Sequence, residues 1–426
     1  MKKAAKSLVV SILAWQVKRL YKKNQFKVVG VVGSIGKTST KLAIARVLSE
    51  HHKVQYQEGN YNEIVSVPLI FFGHKLPSLF NPFAWLSIFI KNESQIAKKY
   101  PYEVVVLEIG TDFPGQIAAF KKYLHLDIAV VTALTPEHMM YFSGLSAVAE
   151  EELSVAQYSK RLLLNVDLCP KNLTLSYSGT YLSYALKQDA TYTMDPVVYS
   201  EYGTRFTLNK DRQPWIEADS KSFSEAQLYS LTAAAAVADL LEVPKEAIEG
   251  GFAGILPVAG RMQLLQGLNN STIIDDTYNA SPDAVKGALD ALYRYKAIRK
   301  IALLGNMNEL GAISAESHAE VGKLCVPSQL FLLITLGPDA NEHLAAAAEK
   351  NGCKVARTHS PVEAAKVILE VLEAGDVVLV KGSQNGVYAE EAVKMLLENK
   401  ADTAKLVRQS KSWIAKKQAQ FKEIQV

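Results

Sequence analysis

The stretch VVGVVGSIGKTST, residues 28–40, decides the fold of this chain. Its apolar run breaks into a glycine turn at Gly33, and the turn ends in Gly36-Lys37-Thr38 just before a helical pattern. Glycines lack side chains, so several backbone amides can converge on phosphate oxygens. Lys37 would then reach the outer phosphates, and the Thr38 hydroxyl would hold Mg²⁺. The stretch therefore predicts a strand, a phosphate loop and a helix.

The loop is a variant of the common phosphate-loop pattern. Val31 stands where that pattern has its first glycine, and Gly30 and Gly33 flank it. An ordinary glycine turn before a helix is the alternative, which the Gly-Lys-Thr ending disfavours. We expect nucleotide contacts from the loop and the first helical turn: Gly33, Ser34, Ile35, Gly36, Lys37, Thr38 and Ser39.

Composition and charge indicate an ordinary globular protein with two basic ends. The 426 residues suffice for two or three domains, and 49% of them are hydrophobic. Residues 1–26 hold seven basic and no acidic residues, and residues 401–426 hold six basic and two acidic ones, which leaves 27–400 at −7. An acidic body argues against nucleic acid as a partner. Three widely spaced cysteines indicate a reducing compartment.

Residues 1–25 form a separate basic segment. Their apolar run, residues 8–17, is too short to span a bilayer, and no small-residue cleavage site follows it. The flanking lysines predict a basic amphipathic helix. Such a helix either lies on an anionic membrane surface or packs on the protein's own surface. Residues 71–100, rich in Phe, Trp, Leu and Pro, either cover a sheet face or form an apolar surface.

Two further strands are expected to end at the same edge of the sheet as the loop. Residues 103–109, EVVVLEI, end on Glu108, and the strand at 127–132 runs into His138. Ligands sit at the carboxyl ends of parallel strands, so Glu108 is placed to meet a metal ion held by Thr38. A solvated carboxylate is the alternative for Glu108, and a structural role is the alternative for His138.

The second half of the chain restarts the alternation of strands and helices. An antiparallel patch is expected within residues 172–220, and a domain boundary near 257–260. Beyond it the pattern predicts a second, doubly wound α/β domain, with Ser281 as N-cap and Pro282 as first residue of a helix. The tail Lys405–Phe421 predicts a basic surface helix. The expected segments are 1–25, 26–257, 258–400 and 401–426.

Seven separated stretches, in this order, resemble the Mur ligase family, most closely its MurF type. They are GVVGSIGKTST (30–40), GNYNEIVSVPL (59–69), VVLEIGTDFPGQI (105–117), residues 127–142, GRM (260–262) with DDTYNASP (275–282), LLGNMNELG (303–311) and VKGSQNG (380–386). The resemblance implies a P-loop central domain with a mostly parallel sheet at 26–257. It also implies a Rossmann-like, doubly wound ligase domain at 258–400.

The resemblance implies an ATP-dependent ligase that requires Mg²⁺. Such an enzyme phosphorylates a carboxylate, and an amine then attacks the acyl phosphate, releasing ADP and phosphate. The implied acceptor is of peptidoglycan-precursor type, and the implied amine is an amino acid or dipeptide. The C-terminal domain would deliver the amine and close over the ATP.

The resemblance also implies residue roles. The implied catalytic residues are Lys37, Glu108, His138 and Arg261. The implied metal ligands are Thr38, Glu108 and His138, to which alignment adds Glu152. Beyond the loop, Arg261, Asp276 (at the ribose) and Asn279 (at the adenine) would contact ATP. The implied substrate-binding residues are Asn60, Asn62, Asn306, Lys381 and Ser383.

Several positions depart from the family pattern. Glu152 stands where the family has a lysine that is carbamylated in use, and a native carboxylate could bind metal without CO₂. Gln227 and Ser230 stand where asparagines are expected, and Asn306 and Gln384 replace an Asp and an Arg. About 29 residues precede the loop, where MurF-type enzymes carry a UDP-binding domain. We interpret this as a changed acceptor, such as a membrane-linked precursor reached through the N-terminal helix.

Other classes remain open at this point. A P-loop kinase or NTPase switch explains the loop and Glu108, but not the second α/β domain. A non-catalytic membrane-associated scaffold is disfavoured by the intact Lys37 and Thr38. The folylpolyglutamate and amino-acid-polymer ligases are alternatives within the superfamily. We expect a cytoplasmic monomer with a small-molecule or peptide substrate, in peripheral contact with the inner membrane face through residues 1–25.

Overall fold

The chain divides into two compact units in a computed structural model. Unit 1 comprises residues 1–135, 141–222 and 226–255, and unit 2 comprises residues 136–140, 223–225 and 256–426. Each unit contains its own sheet with mostly parallel strands, which confirms the predicted α/β fold class. The structure describes residues 2–59, 61–136, 139–174, 177, 179–200, 203–256 and 258–422.

Unit 1 is built on a nine-stranded sheet within the described residues. Its strands are β1 (Lys27–Val32), β2 (Val54–Gln55), β3 (Val104–Glu108), β4 (Leu126–Val131), β5 (Ser159–Asn165), β6 (Leu182–Ala185), β7 (Tyr192–Ser200), β8 (Gly203–Lys210) and β9 (Gln213–Ser220). Their order is β2-β3-β1-β4-β5-β6-β7-β8-β9. Pairing is parallel from β2 to β7 and antiparallel from β7 to β9, which confirms the predicted antiparallel patch.

Helices cover both faces of this sheet. They are α1 (Lys2–Lys23), α2 (Lys37–Leu48), α3 (Val67–Phe71), α4 (Pro82–Ala97), α5 (Gln116–Ala119), α6 (Leu145–Leu153), α7 (Lys171–Thr174), α8 (Glu225–Leu240) and α9 (Lys245–Ala253). Val29 and Val31 join a core with α2, α8 and α9, whereas Val28 and Val32 join a core with α1, α3 and α6. β1 is therefore apolar on both faces, as a central parallel strand requires.

The predicted N-terminal helix forms, and its apolar face is buried in unit 1. Leu13, Val17 and Leu20 are fully buried, and Val9 and Leu13 pack with Trp85 of α4. Of the two interpretations of this helix, packing on the protein's own surface therefore holds for this face. No described helix combines the length and the hydropathy that a membrane span requires.

Unit 2 is a second sheet flanked by helices. Its strands are β10 (Gln263–Gly267), β11 (Ser271–Asp276), β12 (Lys300–Gly305), β13 (Leu332–Leu336), β14 (Val355–Thr358) and β15 (Val377–Lys381), in the order β10-β11-β15-β12-β13-β14. Its helices are α10 (Pro282–Arg294), α11 (Ser314–Lys323), α12 (Ala345–Lys350), α13 (Pro361–Val371), α14 (Glu390–Leu396) and α15 (Lys411–Gln420). Only β10 pairs antiparallel among these described strands.

Two details differ from the sequence-based expectations. The strands β6, β9, β10 and β14 were not predicted individually, because they are short or rich in polar residues, although β6 and β9 lie within the range given for the antiparallel patch. Ser281 is the N-cap residue by position, but its hydroxyl is buried and makes no hydrogen bond to the helix. Pro282 is the first helical residue, as expected.

The C-terminal tail also differs from the predicted surface helix. Its helix begins at Lys411 rather than near Lys405, after a 3₁₀ segment over Lys400–Lys405. Lys417 is fully buried, with its ammonium 2.8 Å from Glu390 and 2.5 Å from Glu391. Arg408 lies 2.7 Å from the same Glu390. Buried charges need such partners, so these ion pairs join the tail to unit 2.

Two leucines of α1 test how this helix is held. Leu13 is fully buried and Leu8 is 63% exposed, so Leu13→Ala leaves a cavity and Leu8→Ala does not. We expect Leu13→Ala to lower the free energy of unfolding by about 2–5 kcal/mol. The Leu8→Ala control should change it by less than about 0.5 kcal/mol. Urea unfolding measures both, and equal effects would contradict the packing of α1.

Candidate functional site

The phosphate loop has a backbone that requires its glycines. Gly33 has φ +122° and Gly36 has φ +84°, a region that residues with side chains rarely adopt. A Cβ on Gly33 would lie 2.4 Å from Thr132 Oγ1, so no side chain fits there. Gly36 is the N-cap residue of α2, which makes Lys37, Thr38 and Ser39 its first turn. The loop thus opens directly onto a helix N-terminus, where anions bind well.

Residues that follow β4 hold the loop in place. Thr132 Oγ1 lies 2.6 Å from the carbonyl oxygen of Ile35 and 3.0 Å from that of Val32, so its one proton is shared between these two acceptors. The amide of Ser34 donates to the carbonyl of Ala133 at 2.9 Å. These bonds make the loop a preformed cradle, and sequence reasoning missed Thr132 because only the sheet order brings it here.

The Lys37 ammonium lies against the loop. Its Nζ donates to the carbonyl oxygens of Gly33 at 2.5 Å and Ser34 at 3.1 Å. The lysine expected at the phosphates therefore has its charge at the loop where they would bind.

The predicted pair of Thr38 and Glu108 meets at the carboxyl ends of β1 and β3. Thr38 Oγ1 donates to Glu108 Oε2 at 2.9 Å, and Lys41 Nζ lies 3.2 Å from the same oxygen. The side chains of Lys41 and Glu108 are only 1% and 3% exposed. Lys41 also donates to the Gly59 carbonyl at 3.1 Å, which ties the following turn to the site.

Sequence reasoning missed Lys41. A lysine one turn after Lys37, followed by the apolar run of α2, was the available signal. Its buried ammonium compensates the buried Glu108 carboxylate, which the low-dielectric surroundings would otherwise make costly.

The donor set fits the expected metal. Thr38 and Glu108 present hydroxyl and carboxylate oxygens beside the loop, and Mg²⁺ prefers oxygen ligands. Within the described residues, no cluster of three or more His, Cys, Asp or Glu side chains is arranged to hold a metal. His138 and Asn60 lie outside the described residues, so their expected roles stay predictions.

Two adjacent glutamates of α6 bind backbone amides near the loop. Glu152 is buried, and its Oε2 accepts a hydrogen bond from the Gly33 amide at 2.8 Å. Glu151 accepts from the amides of Gly115 at 2.6 Å and Ile117 at 2.7 Å. Glu152 thus reaches the first residue of the loop, and its expected role as a metal ligand stays a prediction.

Two other expected positions border the loop region. The backbone carbonyl of Asn62 accepts from the Gly110 amide at 3.0 Å, and its side chain packs on Gly110, just after β3. Ser230 of α8 is buried, and its hydroxyl lies 3.1 Å from Thr40 Oγ1 on α2. Both are thus close to the end of the sheet that carries the loop.

In unit 2, Asp276 and Lys381 form an ion pair at the ends of the neighbouring strands β11 and β15. Lys381 Nζ lies 2.6 Å from Asp276 Oδ2 and donates to the Asn279 carbonyl at 2.9 Å. The Met262 amide donates to the other Asp276 oxygen at 3.1 Å. The Arg261 guanidinium lies 4.0 Å from the ring centre of Tyr278. Residues expected at the nucleotide and at the substrate therefore share one strand edge.

The remaining two candidates of unit 2 hold its loops together. Asn306 Oδ1 accepts from the Ala340 amide at 2.9 Å, and its carbonyl accepts from the Ser383 amide at 3.1 Å. The buried Ser383 hydroxyl donates to the Ala280 carbonyl at 3.2 Å. Asn306 and Ser383 thus join the loops that follow β12 and β15.

Asp275 is a buried carboxyl group beside this edge. It is fully buried, and burial raises its pKa to about 6, although hydrogen bonds from the Thr277 amide and hydroxyl oppose the shift. The neighbouring Asp276 and Glu390 raise its pKa further. Among the described residues, one of its carboxylate oxygens finds no hydrogen-bond partner, which favours the protonated form.

Comparison with known proteins identifies the class. The family model described as the Mur ligase middle domain matches residues 87–238, and the model described as the Mur ligase glutamate ligase domain matches residues 260–384. Together these matches span more than half of the chain. The chain belongs to the Mur ligase family, so the predicted family and its ligase class are confirmed.

Two relatives with known names are MurF-type ligases. The UDP-N-acetylmuramoyl-tripeptide--D-alanyl-D-alanine ligase of Bacillus subtilis (strain 168) is 26% identical over 378 residues, 88% of this chain and 76% of the relative. The enzyme of the same name from Escherichia coli (strain K12) is 25% identical over 379 residues, 88% of this chain and 77% of the relative.

Solved structures of MurF have the same fold. MurF from Acinetobacter baumannii matches with a TM-score of 0.75 at 20% identity, over 92% of this chain and 81% of that one. MurF ligase from Thermotoga maritima, solved in complex with ADP, matches with a TM-score of 0.73 at 23% identity, over 91% and 83% of the two chains.

The buried ion pair at the loop can be tested by charge removal. Lys41→Met leaves the Glu108 carboxylate buried without its cation, so we expect a loss of about 3–5 kcal/mol in the free energy of unfolding. In the background of Glu108→Gln the same substitution should cost much less, because no buried charge is left uncompensated. Urea unfolding of the four proteins measures this coupling, and additive effects would contradict the ion pair.

Asp275 predicts a pH dependence of stability. Its pKa is raised from 3.8 to about 6, so the folded state holds the proton more tightly than the unfolded chain. The stability it contributes is complete below about pH 4 and is lost as the pH rises through about 6, a change on the order of 3 kcal/mol. Asp275→Asn removes this dependence. Unfolding curves at several pH values should therefore diverge between variant and wild type, and parallel profiles would contradict the shift.

Proposed function

We propose that this chain joins the carboxylate of a peptidoglycan-precursor-type acceptor to the amine of an amino acid or dipeptide, through an acyl phosphate made with ATP. The meeting of Thr38 and Glu108 at 2.9 Å beside the phosphate loop carries the proposal. The names of the MurF-type relatives support the acceptor and amine classes.

The loop would bind the ATP phosphates and stabilise the transferred γ-phosphoryl group. Phosphoryl transfer needs positioning and charge neutralisation more than covalent help. The amides of the loop and of the first turn of α2 supply donors. Lys37 Nζ lies on two carbonyl oxygens of the loop, and it would turn from them to a phosphate bound there.

Thr38 and Glu108 would hold Mg²⁺, with His138 as a further ligand. The metal would neutralise phosphate charge during transfer. Lys41 would keep the Glu108 carboxylate oriented toward the loop. Glu152 would fix the loop backbone through the Gly33 amide and would be a further ligand of the metal.

Unit 2 would contribute the remaining contacts. Arg261 and Asn279 would contact ATP, and Asp276 would bind its ribose. Asn306 and Ser383 would bind the amine substrate with Lys381. The two loops that Asn306 and Ser383 join follow neighbouring parallel strands, where ligands of such sheets bind. Asn60 and Asn62 would contact the acceptor. We assign ATP binding to residues 26–257 and amine delivery to residues 258–400.

We also propose a cytoplasmic monomer that contacts the inner membrane face through residues 1–25. The three cysteines are buried and unpaired, which supports a reducing compartment. Leu8 and Trp15 of α1 remain 63% and 53% exposed although its other face is packed. Lys18 and Lys22 are exposed on the same helix.

A phosphate-release screen tests the reaction. ATP is offered with a matrix of amino acids, D-Ala-D-Ala and stem peptides, and the product is identified by mass. Phosphate should appear only when both an acceptor and an amine are present, and ADP should be the other product. Release with neither present would favour a simple NTPase, and a phosphorylated acceptor without amine would favour a kinase.

Lys37→Ala tests the loop in the same assay. We expect phosphate release to fall by roughly 100-fold or more, because the γ-phosphoryl loses a cation at its binding loop. Lys121→Ala, at an exposed lysine of the same unit, should retain wild-type activity. Undiminished turnover in Lys37→Ala would overturn the proposal.

A further inference from the structure

Helix α4 is apolar on two opposite faces. Trp85, Ile88 and Ile96 point inward and are buried. Phe83, Leu86 and Ile90 recur on the opposite face and are 82%, 56% and 62% exposed. A helix that is apolar all round normally has apolar surroundings on every side. In unit 1, however, the outer face of α4 has no such cover among the described residues.

Further exposed apolar residues lie just before α4 in the chain and on α1, which packs against α4. The segment before α4 leaves three apolar side chains in solvent, and α1 leaves two more. We name the whole set the apolar surface: Leu8, Trp15, Leu76, Leu79, Phe80, Phe83, Leu86 and Ile90. Isolated exposed apolar residues are common, but eight on two adjoining helices and one connecting segment indicate an interaction site.

The two helices lie side by side and run in the same direction. Gln16 donates to the Phe89 carbonyl at 3.0 Å, Arg19 lies 2.5 Å from Glu93, and Lys23 donates to the Ala97 carbonyl at 2.6 Å. These three contacts step along both helices together. Leu8 is therefore level with the start of α4, and Trp15 is level with its middle.

The two segments that carry the apolar surface are strongly basic, and Lys6 of α1 is paired with Glu63 at 3.2 Å. Residues 1–26 contain seven basic and no acidic residues. Residues 71–100 contain Lys75, Lys91, Lys98 and Lys99 but only one acidic residue, Glu93, which is paired with Arg19. The body of the chain is acidic, so this concentration of cations belongs to the same region as the exposed apolar side chains.

We propose that the apolar surface inserts into the interface of an anionic lipid bilayer. Phe, Leu, Ile and Trp side chains would enter the boundary of the acyl chains, and the surrounding lysines would meet the lipid phosphates. The Arg19 guanidinium lies 4.4 Å from the Trp15 ring centre, which gives this tryptophan a cation at the same depth. The proposed contact thus involves α4 and the segment before it as well as α1.

The purpose of this lipid contact rests on the proposed function. An acceptor held in the membrane by a lipid would be delivered to an enzyme that already lies on the same bilayer. The lipid contact itself can be measured without any ligase assay, so failure of one proposal is distinguishable from failure of the other.

Vesicle flotation of the full-length chain tests the contact. Wild-type protein should float with vesicles rich in phosphatidylglycerol and not with vesicles of phosphatidylcholine alone, and added salt should weaken binding. The combined Phe83→Glu and Ile90→Glu variant should bind roughly tenfold more weakly or worse. A second variant, Leu8→Glu with Trp15→Glu, should also bind more weakly. Deleting α1 is unsuitable, because its inner face belongs to the core.

A matched control is available in unit 2. Ile298 is 82% exposed, the same fraction as Phe83, and Ile298→Glu should float like wild type. Circular dichroism and phosphate release with a water-soluble acceptor should be the same in every variant. Flotation of the Phe83→Glu and Ile90→Glu variant at wild-type level would overturn the proposal. So would a dimer in sedimentation that these substitutions dissociate, without lipid binding, because the surface would then join two copies of the chain.

Discussion

The buried carboxylate of Glu108 is the interaction on which the phosphate-binding half of this molecule depends. It ends β3, accepts a hydrogen bond from Thr38 at the start of α2, and is neutralised by Lys41 one turn later. A buried carboxylate without these partners would be costly in free energy. The contacts of Glu108 with Thr38 and Lys41 therefore fix β3 and α2 relative to each other. The loop between β1 and α2 is then held from its other side by Thr132 and Glu152. These contacts from both sides fix the backbone of a candidate anion site.

Unit 2 uses buried charge for a similar purpose. The Asp276–Lys381 pair ties the ends of β11 and β15, where the expected nucleotide and substrate residues lie. In the same unit, Lys417 of the C-terminal tail forms buried ion pairs with Glu390 and Glu391. Such pairs add little net stability, but each fixes one arrangement, since breaking it leaves a charge buried. A ligase that must exclude water from an acyl phosphate benefits from loops that cannot drift.

The apolar surface on α1 and α4 presents the opposite case, because its side chains gain nothing from the fold as it stands. Exposing Phe80 and Phe83 in water costs free energy that a monomeric enzyme could avoid by placing polar residues there. A lipid interface that covers the apolar surface during function would remove this cost. It would also account for the surrounding lysines, which would meet the lipid phosphates. The sequence alone led us to expect a membrane contact through residues 1–25. The exposed side chains of the structure lead us to propose that α4 takes part in this contact as well.

The sequence by itself determined the loop, the alternation of strands and helices in both halves, and the family, because these depend on local patterns of glycine, apolar runs and short motifs. It also brought Thr38 and Glu108 together, since parallel strands end at a common edge. It did not determine Lys41, Thr132 or the buried Lys417, whose roles follow from neighbours 67, 97 and 26 residues away along the chain. Nor could it decide which face of α1 is packed, or that α4 is apolar toward both core and solvent. Only the tertiary structure decided these points, because burial and ion pairing depend on which distant segments meet.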